Sequence, residues 1–80
     1  YPNPFNPTTN FSFAVKKAEQ TTLKVYNILG AEVASLFNDV AQPDQMYTVS
    51  FNGSNLSSGT YFYILRSSSR NEVKKMLLMK

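Results

Sequence analysis

The stretch NLSSGTYFYIL (residues 55–65) passes from a polar loop into the most apolar run of the chain. Its second half, TYFYIL (60–65), offers no polar face: large apolar side chains occur at both even and odd positions. Aromatic and β-branched residues in a run this short, bounded by Gly59 and by Ser67–Ser69, fit a strand covered on both sides. That places a central strand here, and with it a sheet wide enough to have a centre. Successive strand residues point to opposite faces, so Tyr61, Phe62 and Tyr63 cannot form one stacking platform for a sugar. Tyr61 is therefore assigned to the core. In the preceding loop, NGSNLSSG (52–59), Leu56 is the single large apolar side chain. It reads as a plug that turns inward, with Gly59 at a positive-φ position before the strand.

Working outward, the same two-residue period recurs. Phe11, Phe13 and Val15 alternate with polar or small neighbours. After a polar break at 16–21, TLKVYNIL (22–29) puts Leu23 and Val25 on one side and Tyr26 and Ile28 on the other, and Gly30 ends it. EVASLF (32–37) fits either a helical turn or a strand; a six-residue helix is marginal alone, so strand is preferred. NDVAQPDQ (38–45) has turn chemistry around Pro43–Asp44. MYTVSF (46–51) aligns Tyr47, Val49 and Phe51. SSSRNE (67–72) makes a tight polar turn, and VKKMLLMK (73–80) is the closing strand. Strands at spacings near ten residues predict an all-β chain: an immunoglobulin-like antiparallel β-sandwich of about seven strands. Phe11, Phe13, Leu23, Val25, Val49, Phe51, Tyr61 and Tyr63 are its expected core.

Eighty residues hold one small domain, 1–80. With no cysteine and no histidine, neither a disulfide nor a zinc site can staple it. The core must come from apolar side chains, and at 42% hydrophobic and 14% aromatic the composition supplies them. Charged residues make up 16%, below the roughly 25% of an average soluble domain, which suits a Ser/Thr/Asn surface.

The net charge of +3 is unevenly placed. Residues 1–65 carry three lysines against four acids, a net of −1, while 66–80 carry Arg66, Arg70, Lys74, Lys75 and Lys80 against Glu72, a net of +4. Lysines that block edge-to-edge pairing are the plain account of such a segment. Five cations on one short stretch form no nucleic-acid-binding module. No run approaches the roughly 18 apolar residues of a membrane span. No secretory signal opens the chain, and it starts at Tyr1, so it reads as the end of a longer protein.

Catalysis needs a nucleophile with a base, paired carboxylates or a metal. The five acids (Glu19, Glu32, Asp39, Asp44 and Glu72) are scattered, the serines lie where turns need them, and no phosphate-cradling or nucleophile-elbow motif occurs. The expectation is no enzyme and no cofactor. Asn38, Asp39 and Asp44 could gather around calcium in one loop, but turn formation is the better account. NFS, NGS and NLS match the glycosylation acceptor pattern, as chance matches do in a chain rich in Asn and Ser.

The chain opens YPNPFNPTT, with prolines at 2, 4 and 7. Each fixes φ and biases the residue before it towards extended backbone, so the comb is stiff where a linker would be Gly/Ser-rich. Tyr1 and Phe5 add apolar area to it. Residues 1–9 are expected to be a rigid lead-in packed on the sandwich, with Pro2 and Pro4 structural.

YPNPFNPTT, LKVYNILGAEV, YTVSF, NLSSGTYFYIL and the closing KKMLLMK, taken in order, resemble one family. It is the C-terminal sorting domain of the type IX secretion system, type A (the Por secretion tail), a relative of the immunoglobulin-like domain of flagellar hook-capping proteins. The departures are small: Gln45 and Met46 stand where members often carry glycine, and LGAEV replaces LGQEV. The resemblance implies a seven-stranded sandwich that ends a secreted enzyme or adhesin of the Bacteroidota–Chlorobi kind. Such a domain directs the covalently attached upstream cargo through the periplasm to the outer cell surface of a Gram-negative bacterium. It implies as partners the outer-membrane machinery of type IX secretion and a sortase-like cysteine peptidase that removes the domain. The signal lies in the family's closing strand, which here means residues 73–80, with Lys74, Lys75, Met76, Leu77, Leu78, Met79 and Lys80. An apolar run framed by cations is also a plausible strand-addition handle on its own chemistry. Two other classes stay open. An exposed aromatic row on one sheet would favour a carbohydrate-binding or adhesive module, and a central, fully covered last strand would favour a structural spacer.

Overall fold

The computed structural model describes residues 8–79, and among them the chain is all β. Six strands follow one another: β1 (Thr8–Phe13), β2 (Glu19–Asn27), β3 (Glu32–Ala41), β4 (Tyr47–Asn52), β5 (Gly59–Ser67) and β6 (Asn71–Leu78). They form two antiparallel sheets, a pair β1-β4 and a four-stranded sheet in the order β3-β2-β5-β6. The six segments read as strands correspond to these six strands. The seventh expected strand has no counterpart among the described residues.

β5 lies inside the larger sheet, between β2 and β6, as its two apolar faces require. Its register sets the rest: Leu23 faces Leu65, Val25 faces Tyr63 and Tyr26 faces Phe62. Leu23, Val25, Tyr61 and Leu65 turn inward beneath Phe13 and Phe51 of the small sheet, and all are buried. At one end Phe13, Phe37 and Tyr47 pack with ring centroids 5.1–5.3 Å apart. Phe11 meets Tyr63 at 4.4 Å nearer the middle. Aromatic rings cover much area per residue, which is how an 80-residue chain without staples closes a core.

Several boundaries differ from the sequence reading, among them the start of β1, which takes in Thr8 and Thr9 of the supposed lead-in 1–9. β2 begins at Glu19, inside the supposed polar break, because Glu19 and Thr21 point inward at 9% and 1% exposure. Thr21 satisfies its hydroxyl by donating to the Glu19 carbonyl at 3.0 Å, so a residue read as polar sits in the core at little cost. β3 runs on through Asn38–Val40 to Ala41, which is fully buried; the turn begins only after it, with Asp44 at φ 65°. Pairing with β2 carries these residues into the ladder despite their turn-like composition, across register shifts at Leu23/Lys24 and Val25/Tyr26. β6 starts two residues earlier than expected, at Asn71. Phe11, Val49 and Tyr63, expected in the core, are half-buried and pack against its rim. Val15 is buried although it lies past the end of β1.

Candidate functional site

β6 is an outer strand of the four-stranded sheet: one edge pairs with β5 from Gly59↔Leu78 to Arg66↔Asn71, and the other pairs with no described strand. Alternation divides the segment between two faces. Leu78 turns into the core at 5% exposure, and Met76 beside it is half-buried against the same cluster. Val73, Lys75 and Leu77 turn outward and are exposed, the two apolar ones at 56% and 67%. Lys74 points to the inner face yet stays exposed, and Met79 beyond the strand is exposed at 49%. Lys80 lies outside the described residues, as do Pro2, Pro4, Tyr1 and Phe5 of the proline comb.

The inner half of the strand is held at both ends. At its C-terminal end, Leu78 fills the space above Gly53: a methyl group added there would stand 2.9 and 3.0 Å from the Leu78 δ-carbons and 3.3 Å from Phe51. Only glycine leaves that room. At its N-terminal end the hairpin from β5 is closed by Ser67 N–H donating to the Arg70 carbonyl at 2.9 Å. The turn is then tied to β2 through Glu19, whose carboxylate accepts from Ser68 Oγ (2.5 Å), Ser69 Oγ (2.7 Å) and Ser69 N–H (3.2 Å). These donors, led by Ser68 and then Ser69, favour the ionised form and lower the Glu19 pKa from an ordinary 4.5 to about 2, with burial opposing them. Arg70 completes the clasp by pairing with Glu72 and by donating to the Ala14 carbonyl at 2.6 Å.

The loop before β5 is fixed by the residues singled out there. Tyr61 is buried and its hydroxyl donates to the Ser57 carbonyl at 2.7 Å. Gly59 has φ +152°, and Leu56 packs on the core while half-buried, so it rests on the rim and is not a closed plug. Gly53 and Glu19 were not singled out from the sequence. Gly53 could have been, since it stands two residues after Phe51 and so shares its inward phase. Glu19 gave no such signal: its serine partners are about fifty positions away.

On the outer face of the same sheet Tyr26 and Phe62 stand side by side, next to Ile64, Val73 and Lys75. Two half-buried aromatics among aliphatic neighbours are not the row that sugar stacking would favour. Asn38 accepts from Gln20, and Asp39 accepts from the Val40 amide, each on β3 and apart from Asp44. No three His, Cys, Asp or Glu side chains gather among the described residues. No helix there is long and apolar enough to cross a membrane.

A strand with one paired edge, one edge that pairs with no described strand, and an outward row of Val73, Lys75 and Leu77 can recognise another chain. The chain belongs to the family of secretion-system C-terminal sorting domains, whose model matches residues 1–79. No curated protein and no solved structure matches it.

Proposed function

We propose that this domain is the export address of a larger protein, directing the cargo attached upstream of it through the type IX secretion system to the cell surface. The observation that carries the reading is the position of β6, an outer strand with a free backbone edge and an exposed Val73–Lys75–Leu77 row. An unpaired edge offers hydrogen-bonding groups to an incoming strand, and alternate side chains supply selectivity. Lys74, Lys75 and Lys80 steer the encounter with an acidic receptor in the outer-membrane machinery. Met76 and Leu78 hold the strand in the sandwich, while Leu77 and Met79 are available to the receptor. The two-sheet architecture fits an immunoglobulin-like domain. After passage from the periplasm across the outer membrane, a sortase-like peptidase separates domain and cargo. A carbohydrate-binding role is the weaker reading, because on the outer face Tyr26 and Phe62 pair without a third ring beside them among the described residues.

The test is to fuse the 80 residues to a periplasmic reporter in a host competent for type IX secretion. Surface reporter that disappears when the secretion system is deleted supports the address. Reporter that stays in the periplasm with the domain folded sinks it.

A further inference from the structure

The two sheets differ in width, and the mismatch leaves one place on the inner face uncovered. β1 and β4 cross the larger sheet: Phe13 and Tyr47 meet Phe37 of β3 at 5.2 and 5.1 Å, Phe11 meets Tyr63 of β5 at 4.4 Å, and Phe51 packs with Leu78 of β6. Leu78, at the C-terminal end of β6, is covered by Gly53 and Phe51, but Glu72 and Lys74 share its inward phase and are nevertheless exposed. A cleft of about 290 Å³ opens there. Its floor includes Phe11, Tyr63 and Leu65, one wall is the edge of β1 that pairs with no described strand, and the other carries Arg70, Glu72 and Lys74. Strands in a sheet are spaced by about 4.8 Å, so a strand added beside β1 would enter this cleft, against Glu72 and Lys74 of β6.

We infer that this cleft receives an extended strand of another protein, hydrogen-bonded to the free edge of β1, with apolar side chains facing the floor and a carboxylate facing Lys74. The edge supplies the backbone half of the recognition, since alternate N–H and C=O groups of β1 point away from β4. Charge supplies the rest. Arg70 is already engaged with Glu72 and the Ala14 carbonyl, which leaves Lys74 as the wall's uncompensated charge, with no ion pair among the described residues. An acidic strand neutralises it. A second copy of this chain fits less well, because the segment it has most exposed for donation, β6, brings Lys74 and Lys75 against the same wall. The inference goes beyond the reading of β6 as an address and relies on it only for where the strand comes from. The test therefore leaves the secretion system out.

The isotopically labelled chain is titrated with the synthetic heptapeptide Thr-Val-Thr-Glu-Thr-Val-Thr and with its counterpart carrying Lys in place of Glu. Expected are amide-exchange protection within Asn10–Phe13, shifts at Tyr63, and binding of the Glu peptide weakened roughly 3- to 5-fold by Lys74→Gln, the size of one exposed pair. The Lys peptide should bind more weakly than the Glu peptide and should not respond to Lys74→Gln. Protection confined to Val73, Lys75 and Leu77 would overturn the inference, by moving the added strand to the outer edge of β6. Equal affinity of the two peptides, no binding of either, or self-association through β1 without peptide would overturn it as well. A domain that still exports its cargo while the cleft ignores both peptides would refute the cleft and spare the address.

Discussion

Gly53→Ala is the substitution that asks most of the contact between the last strand and the core. The added Cβ stands 2.9 Å from one δ-carbon of Leu78, 0.5 Å inside the 3.4 Å at which ordinary contact begins, and Phe51 at 3.3 Å closes the other side. Leu78 is 5% exposed and Phe51 3%, so neither can swing into solvent, and β6 must shift at its C-terminal end. Overpacking of this kind costs about 1–3 kcal/mol. For a domain of this size that lowers the melting temperature by about 4–8 °C per kcal/mol. Thermal and urea unfolding of Gly53→Ala, Leu78→Val and the double variant measure it. Leu78→Val alone loses one methylene, about 1 kcal/mol, and makes room for the new methyl. The double variant should therefore be at least about 1 kcal/mol more stable than the sum of the singles, because the residues are in contact. Additivity, or a Gly53→Ala variant that melts with the parent, would refute the packing reasoning.

Glu19 gives a pH signature. Its folded pKa, near 2, lies below the ordinary 4.5, so its contribution is complete above pH 4.5 and is lost as pH falls towards 2. Urea midpoints measured across that window should fall for the parent more steeply than for Glu19→Gln; parallel profiles would remove the Ser68–Ser69 clasp from the account. At Gly59, with φ +152°, Gly59→Val should unfold at lower urea than Gly59→Ala, because a β-branched residue tolerates that backbone least. The reverse order would contradict it. Leu56→Ala should cost about 1–2 kcal/mol in the same assay, less than the roughly 2–4 of a fully buried leucine, because the side chain is only half covered. A loss under 0.5 kcal/mol would free Leu56 from the core altogether.

Much of this was legible in the chain because a strand's two-residue period survives in the sequence whenever one face is buried. Phe13, Leu23, Val25, Phe51 and Tyr61 each declared their side in that way, and TYFYIL declared its central place by lacking a polar side. What failed to show was set by pairing. Asn38–Val40 look like a turn until β2 draws them into its ladder, and Thr21 looks exposed until its hydroxyl finds the Glu19 carbonyl. Sheet order was hidden for the same reason. The lysines of KKMLLMK read as edge protection, but they do not name the strand it pairs with, and that pairing decides which of its residues another chain can reach. The division of the segment into Met76 and Leu78 inward and Val73, Lys75 and Leu77 outward needed the phase that β5 imposes.

That division supplies the most direct trial of the address. A reporter fused ahead of the domain is exported from a type IX-competent host with Val73→Thr, Lys75→Gln and Leu77→Thr combined, all on exposed positions of the outer face. Surface reporter is measured beside the melting temperature of the isolated variant. The account predicts export reduced at least tenfold with melting within a few degrees of the parent, since exposed substitutions contribute little to stability. Export at the parental rate from a fully folded variant would contradict the claim that the outer face of β6 is what the machinery reads.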